Sequence, residues 1–313
     1  MSNLRELKRR IDSISSTRQI TRTMEMISTA KVGEALERAS SAAPYKDAIT
    51  RMLANVVDAV HGDVDHPLLV DHANSTGELL IVIASDRGLA GGFNVTVQRA
   101  AEKRIKELQA QGKKAEVITC GAKPTEYFLA RGITPVLHYE GISDKPTDEQ
   151  AAQIASYAMD GYTSGSFARV VLHYNHAQNR VQQQIVCEQL LPVQQDSLTM
   201  PNAPRTHESL NVVGTDESDY GHTYGLVVSF DPSPSEVLGR LMPAYVTTVI
   251  YHALLDSAAA EHGARRRAMN AATDNANAAL TTLNRTYNRS RQGSITTELN
   301  EIIGGASALE DSQ

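Results

Sequence analysis

The chain has 313 residues, of which 41% are apolar, and its formal net charge is -6. This composition is that of an ordinary globular protein. Its acidic balance excludes a general affinity for nucleic acid, which requires a basic surface. No stretch of about 18 uncharged apolar residues occurs, so the sequence predicts no membrane span of its own.

Helical spacing dominates residues 3–60. Apolar side chains recur at intervals of three and four residues with one phase break, and we expect this stripe to face a partner helix. Pro44 would cost about 3 kcal/mol in the interior of a straight helix, so a kink or a break is predicted near it. The stripe comprises Leu4, Leu7, Ile11, Ile14, Ile20, Met24 and Ile27.

The middle of the chain alternates short β-type runs with helical segments, which predicts an α/β domain. The alternating run Val181–Leu190 is predicted to pair antiparallel with the strand before it. The predicted strands are Leu79–Ala84, Glu116–Cys120, Ile133–Tyr139 and Arg169–Tyr174, and the predicted helices are Asn94–Gln111, Lys123–Ala130 and Thr147–Tyr162.

A second long helix is predicted near the C-terminus. Residues 194–221 before it are polar and aperiodic, which predicts a loop or insertion, and Tyr224–Phe230 is predicted to be a strand. The Ser-Pro-Ser-Glu sequence of residues 233–236 then has the pattern of a helix start. The helical pattern continues to Ile303, about 100 Å in all, with a bend expected near Pro243.

These elements predict an α/β fold in which a long antiparallel coiled coil of the N- and C-terminal helices carries a central Rossmann-like domain. The predicted parts are a coiled-coil shaft of residues 1–60 and 233–305, an α/β domain of residues 76–230 with a polar insertion at 194–221, and a tail of residues 306–313.

The two helices differ in length. If both leave the α/β domain at similar heights, the second overshoots the first by roughly a dozen residues, or about 20 Å. Leu4 is then predicted to lie near Arg285, and the tip of the second helix to be unpaired. The apolar side chains without a partner helix would be Ile295, Leu299, Ile302 and Ile303.

No sequence motif supports catalysis. Gly88–Gly92 follows a strand but has neither GxGxxG nor P-loop spacing, so a tight turn is favoured over phosphate binding. His173 and His176 lack the cysteines or HExxH element of a metal site and are expected at the surface. Cys120 and Cys187 are expected to be buried thiols. We therefore expect no catalytic residue, metal or cofactor.

Two further functions remain open on these residues alone. One is an α/β enzyme with coiled-coil dimerisation arms, and the other is a structural coiled-coil adaptor. An enzyme should place convergent polar residues at the carboxyl ends of its parallel strands, where this chain offers only Ser85–Arg87 and Gly121. The basic runs Lys8–Arg10 and Arg265–Arg267 are expected to be solvated helix faces.

Three blocks of sequence, in order along the chain, resemble the gamma subunits of F-type ATP synthases. The first is residues 7–11 through 20–26, the second is Ser85–Gly92, and the third is residues 271–276 through 287–292. The resemblance implies a non-catalytic rotor that couples proton flow to nucleotide chemistry. The implied partners are the alpha and beta subunits of the catalytic ring, the epsilon subunit and the ring of c subunits.

The resemblance also implies where partners bind, and it implies a peripheral position on the cytoplasmic face of the bacterial plasma membrane. Residues near the middle of the shaft would face a moving acidic loop of a beta subunit, and residues near its tip would hydrogen-bond to another beta loop. The implied partner-binding residues are Arg22, Met24, Glu25, Arg87, Leu89, Ala90, Arg291, Gln292, Thr296 and Glu298.

Overall fold

A computed structural model describes residues 2–59, 66–72, 75, 77–179, 182–194 and 233–310. The predicted strand at Tyr224–Phe230 and nearly all of the predicted insertion lie outside these residues. The helices are α1 (Ser2–Ala59), α2 (Phe93–Ala110), α3 (Ala122–Leu129), α4 (Asp148–Thr163) and α5 (Pro234–Glu310). The strands are β1 (Glu78–Ile83), β2 (Ala115–Cys120), β3 (Leu137–Tyr139), β4 (Arg169–Ala177) and β5 (Gln183–Leu191).

The five strands form one sheet in the order β3-β2-β1-β4-β5. Strand β1 pairs in parallel with β2 and β4, and β2 pairs in parallel with β3. Strand β5 pairs antiparallel with β4, as predicted. Every residue of β1 is buried, because helices cover both faces of the sheet, as is usual for parallel strands.

The long helices share a core with the α/β domain. On one face of the sheet, Leu79 and Ile81 of β1 pack in a cluster with Ile154 of α4, Leu53 of α1 and Val246 of α5. On the other face, side chains of β1 pack with those of α2 and α3 in a smaller cluster. The ends of α1 and α5 nearest the sheet are thus fixed to it by burial of apolar surface.

Of the kink or break predicted near Pro44, the break does not occur, and the bend expected near Pro243 does not interrupt α5. Helix α1 continues through Pro44 and α5 through Pro243. Buried residues on either side, Ala35 and Ile49 around Pro44, hold α1 in place, so tertiary packing offsets the lost hydrogen bond. Helix α5 also continues to Glu310, beyond the predicted start of the tail.

Strand β3 is shorter than predicted, because the residues before it serve the end of α3. Ile133 donates its backbone N–H to the carbonyl oxygen of Phe128 (3.0 Å), closing the turn after that helix. Pro135 has no N–H to donate to a neighbouring strand. Strand β4 is longer than predicted, because β5 pairs with it as far as Ala177.

Candidate functional site

Two polar contacts fix the register of the helix pair. The hydroxyl oxygens of Thr21 and Thr273 lie 2.9 Å apart in the buried seam. Asn270 donates to the carboxylate of Glu25 at 3.0 Å. Extended at equal rise per residue, this antiparallel register places Leu4 level with about residue 290.

On that register, Ser2 is level with about residue 292, and roughly 18 residues of α5 extend beyond α1, a length of about 27 Å. We call residues 293–310 the tip. Its large apolar side chains are exposed: Ile295 49%, Leu299 52%, Ile302 68% and Ile303 60%. The expected single-helix tip is confirmed, and it is somewhat longer than the sequence estimate.

The polar residues implied near the tip lie on its exposed surface or just below it. Arg291, Gln292, Thr296 and Glu298 are all exposed. The Thr296 hydroxyl donates to the Gln292 carbonyl oxygen of its own helix (3.0 Å). The other three side chains extend from the helix into solvent and are available to a partner.

We call residues 20–27 of α1 the neck surface. Its apolar side chains Ile20 and Ile27 point away from α5, whereas the predicted stripe was expected to face the partner helix. Ile20 is 60% exposed and Ile27 53% exposed, although the periodicity placed both against the partner helix. The seam is instead lined by Thr21 and Ser28, whose small side chains allow α5 to approach closely. The neck surface therefore presents apolar side chains outward.

Of the neck residues implied by the resemblance, Arg22 is exposed, while Met24 and Glu25 are half-buried. The Glu25 carboxylate is engaged by Asn270 of α5. These residues lie roughly 30 to 40 Å along the shaft from those near the tip. The implied neck residues and the implied tip residues thus lie on separate surfaces.

The third implied group lies in the β1–α2 loop, residues 84–92. Arg87 and Leu89 are exposed, and Leu89 has a left-handed backbone with φ 64°. Ala90 does not fit the expectation of a partner contact, because its side chain is 3% exposed and packs with Phe93, Ala260 and Ala264. This loop therefore offers Arg87 and Leu89 to a partner.

Hydrogen bonds within the domain hold the start of this loop. Ser85 donates its N–H to Asn94 Oδ1 (2.9 Å) and its hydroxyl to the Arg87 carbonyl oxygen (2.5 Å). Gly121 (φ 111°) lies so close that an added Cβ would be 2.6 Å from the Ala84 carbonyl oxygen. Only glycine fits this approach between the ends of β1 and β2.

The Asp86 carboxylate lies at the edge of the sheet where the parallel strands have their carboxyl ends. It accepts backbone N–H groups from Ala122 (2.9 Å), Gly141 (2.9 Å) and Ser143 (3.1 Å). Burial raises the pKa of Asp86, but these hydrogen bonds outweigh burial and hold it below its ordinary value. Asp86 is therefore an ionised carboxylate bound where doubly wound sheets bind anionic ligands.

A buried ion pair supports the loop from α5. Arg265 Nη2 lies 2.6 Å from Glu261 Oε1, and the two side chains are 9% and 4% exposed. Arg265 also donates to the carbonyl oxygens of Arg87 (3.4 Å) and Gly88 (3.3 Å). The prediction of a solvated face was wrong for Arg265, although the spacing of four residues from Glu261 could have indicated the pair.

The family model described as ATP synthase matches residues 3–309. The chain is 37% identical over 309 residues to an ATP synthase gamma chain of Symbiobacterium thermophilum, covering 98% of this chain and 99% of the relative. It is 35% identical over 310 residues to that of Trichlorobacter lovleyi, covering 99% and 100%. The chain belongs to the ATP synthase gamma chain family.

Chains from solved ATP synthase structures share the fold. The rotor of a Euglena gracilis mitochondrial ATP synthase aligns with a TM-score of 0.59 at 17% identity, covering 94% of this chain and 99% of that one. A chain from the OSCP/F1/c-ring structure of the same enzyme in rotational state 3 aligns with a TM-score of 0.64 at 17% identity, covering 98% and 95%. The chain therefore shares its coiled-coil and Rossmann-like fold with these ATP synthase structures.

Other polar groups of this gamma-family chain differ from the sequence expectations. His173 is buried, not at the surface, and burial lowers its pKa to about 4. His176 is half-buried and its Nδ1 contacts the Asp256 carboxylate at 2.5 Å. Cys120 is buried as expected, whereas Cys187 is exposed. Among the described residues, no cluster of histidine, cysteine and carboxylate side chains is suited to hold a metal ion.

In the part of the chain that the structure describes, no helix is both long enough and apolar enough to cross a membrane.

Proposed function

We propose that this chain is the central-stalk rotor subunit of a bacterial F-type ATP synthase, coupling transmembrane proton flow to ATP synthesis or hydrolysis at the beta subunits. Family membership supports this function, as does the described central-stalk role of the structural neighbours. Its partners would be the alpha and beta subunits, the epsilon subunit and the c-subunit ring. It would lie peripherally on the cytoplasmic face of the plasma membrane.

The tip is the observation that carries the proposal. Ile302, the most exposed of its large apolar side chains, is 68% accessible, and Ile295, Leu299 and Ile303 are each about half or more exposed. Burying each such side chain is worth about 1.5 to 3 kcal/mol, so a covering surface is favoured. An apolar sleeve formed by the alpha and beta subunits would cover them and, lacking fixed hydrogen bonds, would allow rotation.

The neck surface and the β1–α2 loop would be the second region of contact with the ring. Asn270, which pairs with Glu25, lies only five residues from Arg265, which supports the loop, a rise of about 7 Å along α5. Exposed Leu89 on the loop and exposed Ile20 and Ile27 on the neck would bind a beta subunit. Arg22 and Arg87 would supply positive charge for an acidic loop, which favours docking orientation.

We further propose that the chain has no catalytic site of its own. In a Rossmann-like domain, ligands bind at the carboxyl ends of the strands. Here the backbone N–H groups of Ala122 and Gly141 at that position already donate to the Asp86 carboxylate. A bound carboxylate repels a nucleotide phosphate. ATP turnover would then belong to the complex, with shaft angle biasing the beta sites between conformations.

The test uses a complex reconstituted with this chain in sealed vesicles, measuring ATP hydrolysis and ATP-driven proton uptake. A variant with Ile295, Leu299 and Ile302 replaced by serine should still hydrolyse ATP. The number of protons taken up per ATP hydrolysed should fall several-fold, because the apolar contact with the ring is lost. The matched control replaces exposed polar tip residues, Thr297→Ser and Asn300→Ser, and should behave as wild type. Proton uptake that does not require the chain at all, or steady ATP hydrolysis by the purified chain, would refute the proposal.

A further inference from the structure

Residues 141–144, between β3 and α4, contact three parts of the molecule that are distant in sequence. We call them the junction segment. Their first contact is with the β1–α2 loop: Gly141 and Ser143 donate their N–H groups to the Asp86 carboxylate. Asp86 returns its own N–H to the Ser143 hydroxyl oxygen (3.2 Å). The base of the loop and the junction segment are therefore joined in both directions.

The second contact is with α5. The Ser143 hydroxyl acts on the carboxylate of Glu261, the residue that pairs with Arg265 beneath the loop, where it opposes the larger effect of burial, which raises the pKa of that carboxylate. His262 Nε2 lies 3.3 Å from Asp144 Oδ1, although its geometry does not make a hydrogen bond. The junction segment thus faces two successive side chains of α5.

The third contact is with α1. Lys31 Nζ lies 2.6 Å from both carboxylate oxygens of Asp144. Arg38, two turns further along, donates to the Asp144 backbone carbonyl oxygen (3.4 Å). The neighbouring Ile142 is 1% exposed and belongs to the main core, so the segment is anchored to the sheet.

The Asp144 side chain faces both long helices, because it pairs with Lys31 of α1 and lies beside His262 of α5. This side chain is 46% exposed and that of Lys31 36% exposed, and ion pairs of this kind add little to overall stability. Such a pair does favour one relative position of the two groups that it joins, here α1 and the junction segment. The Asp144 carboxylate is bonded to Lys31 of α1 and lies beside His262 of α5, which favours one rotational position of the helix pair relative to the loop.

We propose that Asp144 is a positioning residue that holds the β1–α2 loop and both long helices in one orientation, so that force on the loop is transmitted to the shaft. The proposal rests on the rotor function above. It assigns a role in coupling efficiency to the β3–α4 connection, none of whose residues is among the implied partner-binding residues.

The experiment compares Asp144→Asn with Asp144→Glu in the reconstituted complex, with hydrolysis and proton uptake measured together. Asp144→Asn should lower protons moved per ATP by about two- to five-fold, the scale of one such pair. Hydrolysis should remain, and Asp144→Glu should restore most of the coupling. The matched control is Asp160→Asn on α4, an exposed carboxylate whose contact is with Ser156 of its own helix; it should leave coupling unchanged.

Lys31→Gln provides an independent variant on the other side of the contact. It should show the same loss, and combining it with Asp144→Asn should add little, because both remove one interaction. Coupling in Asp144→Asn equal to that in Asp160→Asn would overturn the positioning role. Failure of the rotor function itself would look different, since the wild-type chain would then fail to restore proton uptake to a complex lacking it.

Discussion

Thr21 of α1 and Thr273 of α5 hydrogen-bond to each other across the seam of the helix pair, their hydroxyl oxygens 2.9 Å apart. Each hydroxyl also lies within hydrogen-bond distance of a carbonyl oxygen of its own helix, Arg18 for Thr21 and Met269 for Thr273. The hydroxyl proton of one threonine can thus form the hydrogen bond between the helices, while that of the other donates to a backbone carbonyl of its own helix. The pair fixes register in a seam otherwise lined by small side chains.

This relationship predicts a measurable coupling between the two threonines. Thr21→Val and Thr273→Val should each lower the free energy of unfolding by about 1 kcal/mol. The double variant should cost less than the sum, with an interaction energy of about 0.5 to 1 kcal/mol. Urea unfolding followed by circular dichroism gives the four values. Thr17→Val, at an exposed hydroxyl bonded only to its own helix, is the control, and strictly additive costs would show that the bridge contributes nothing.

Protonation of His262 should destabilise the fold. Its side chain is buried, and burial, followed by the nearby Arg265 guanidinium, lowers its pKa from 6.5 to about 4, while Asp144 opposes the shift. The folded chain therefore keeps His262 neutral while the unfolded chain binds a proton below about pH 6.5. The stabilisation is complete above pH 6.5 and is lost as the pH falls towards 4, by up to about 1.4 kcal/mol per pH unit.

The check is the pH dependence of urea unfolding in wild type and His262→Gln. His173 and His252 also have lowered pKa values of about 4, so the variant should keep part of the slope. Its slope between pH 6.5 and 4.5 should be shallower than that of wild type by about one proton. Parallel curves for the two proteins would show that His262 titrates normally in the fold.

Substitutions of Leu89 can distinguish a role in binding a partner from a role in stabilising the fold. The Leu89 side chain is 62% exposed, so Leu89→Ala should leave stability almost unchanged. Leu89→Gly should be at least as stable as wild type, because relief of the left-handed conformation, about 1 to 2 kcal/mol, exceeds the cost of glycine's extra freedom in the unfolded state. Both should reduce coupling if the side chain binds a beta subunit. Leu129→Ala, at an exposed leucine of α3, is the control. Equal coupling in all three variants would remove Leu89 from the contact surface.

Sequence patterns predicted the fold where one local signal dominated. Strand β1 is a continuous apolar run buried on both faces, and Ser233 caps α5 through the Glu236 N–H as expected. The outward direction of Ile20 and Ile27 was missed, because periodicity cannot show which face of a helix its partner chooses. The seam follows Thr21 and Ser28, whose small side chains allow α5 to approach closely.

The junction segment could not have been found from sequence. Asp144 contacts Lys31, which precedes it by 113 residues in the sequence, and lies beside His262, which follows it far along the chain. Only the folded sheet and helix pair bring these groups together. The partner-binding residues implied by family resemblance stay a prediction. Arg87, Leu89 and the tip residues are exposed, whereas the methyl group of Ala90 fills a small core beneath the loop.

The two cysteines should not form a redox switch. Cys120 is fully buried and its pKa is raised by burial to about 12, while Cys187 is exposed. Strands β1 and β4 separate them in the sheet, a distance of about 14 Å that no disulfide spans. A thiol reagent should label the native purified chain once, at Cys187, and Cys187→Ser should abolish labelling. A reversible, oxidant-dependent change in coupling that is lost in Cys120→Ser would contradict this account.

The unpaired tip makes the most direct geometric prediction. The register set by Thr21 with Thr273 and by Glu25 with Asn270 places Leu4 level with about residue 290, some five residues nearer the tip than the sequence estimate of Arg285. Leu4→Cys should therefore cross-link efficiently with Ser290→Cys under mild oxidation, because the two lie on adjacent helices at one level. Leu4→Cys paired with Leu299→Cys should stay reduced, since roughly nine residues, about 13 Å of helix rise, separate the levels. Yields are measured by non-reducing electrophoresis of the assembled complex, with each single cysteine variant as its own control. Preferential linkage to Leu299→Cys would show that α1 extends alongside the tip, and the apolar sleeve would then have no single helix to enclose.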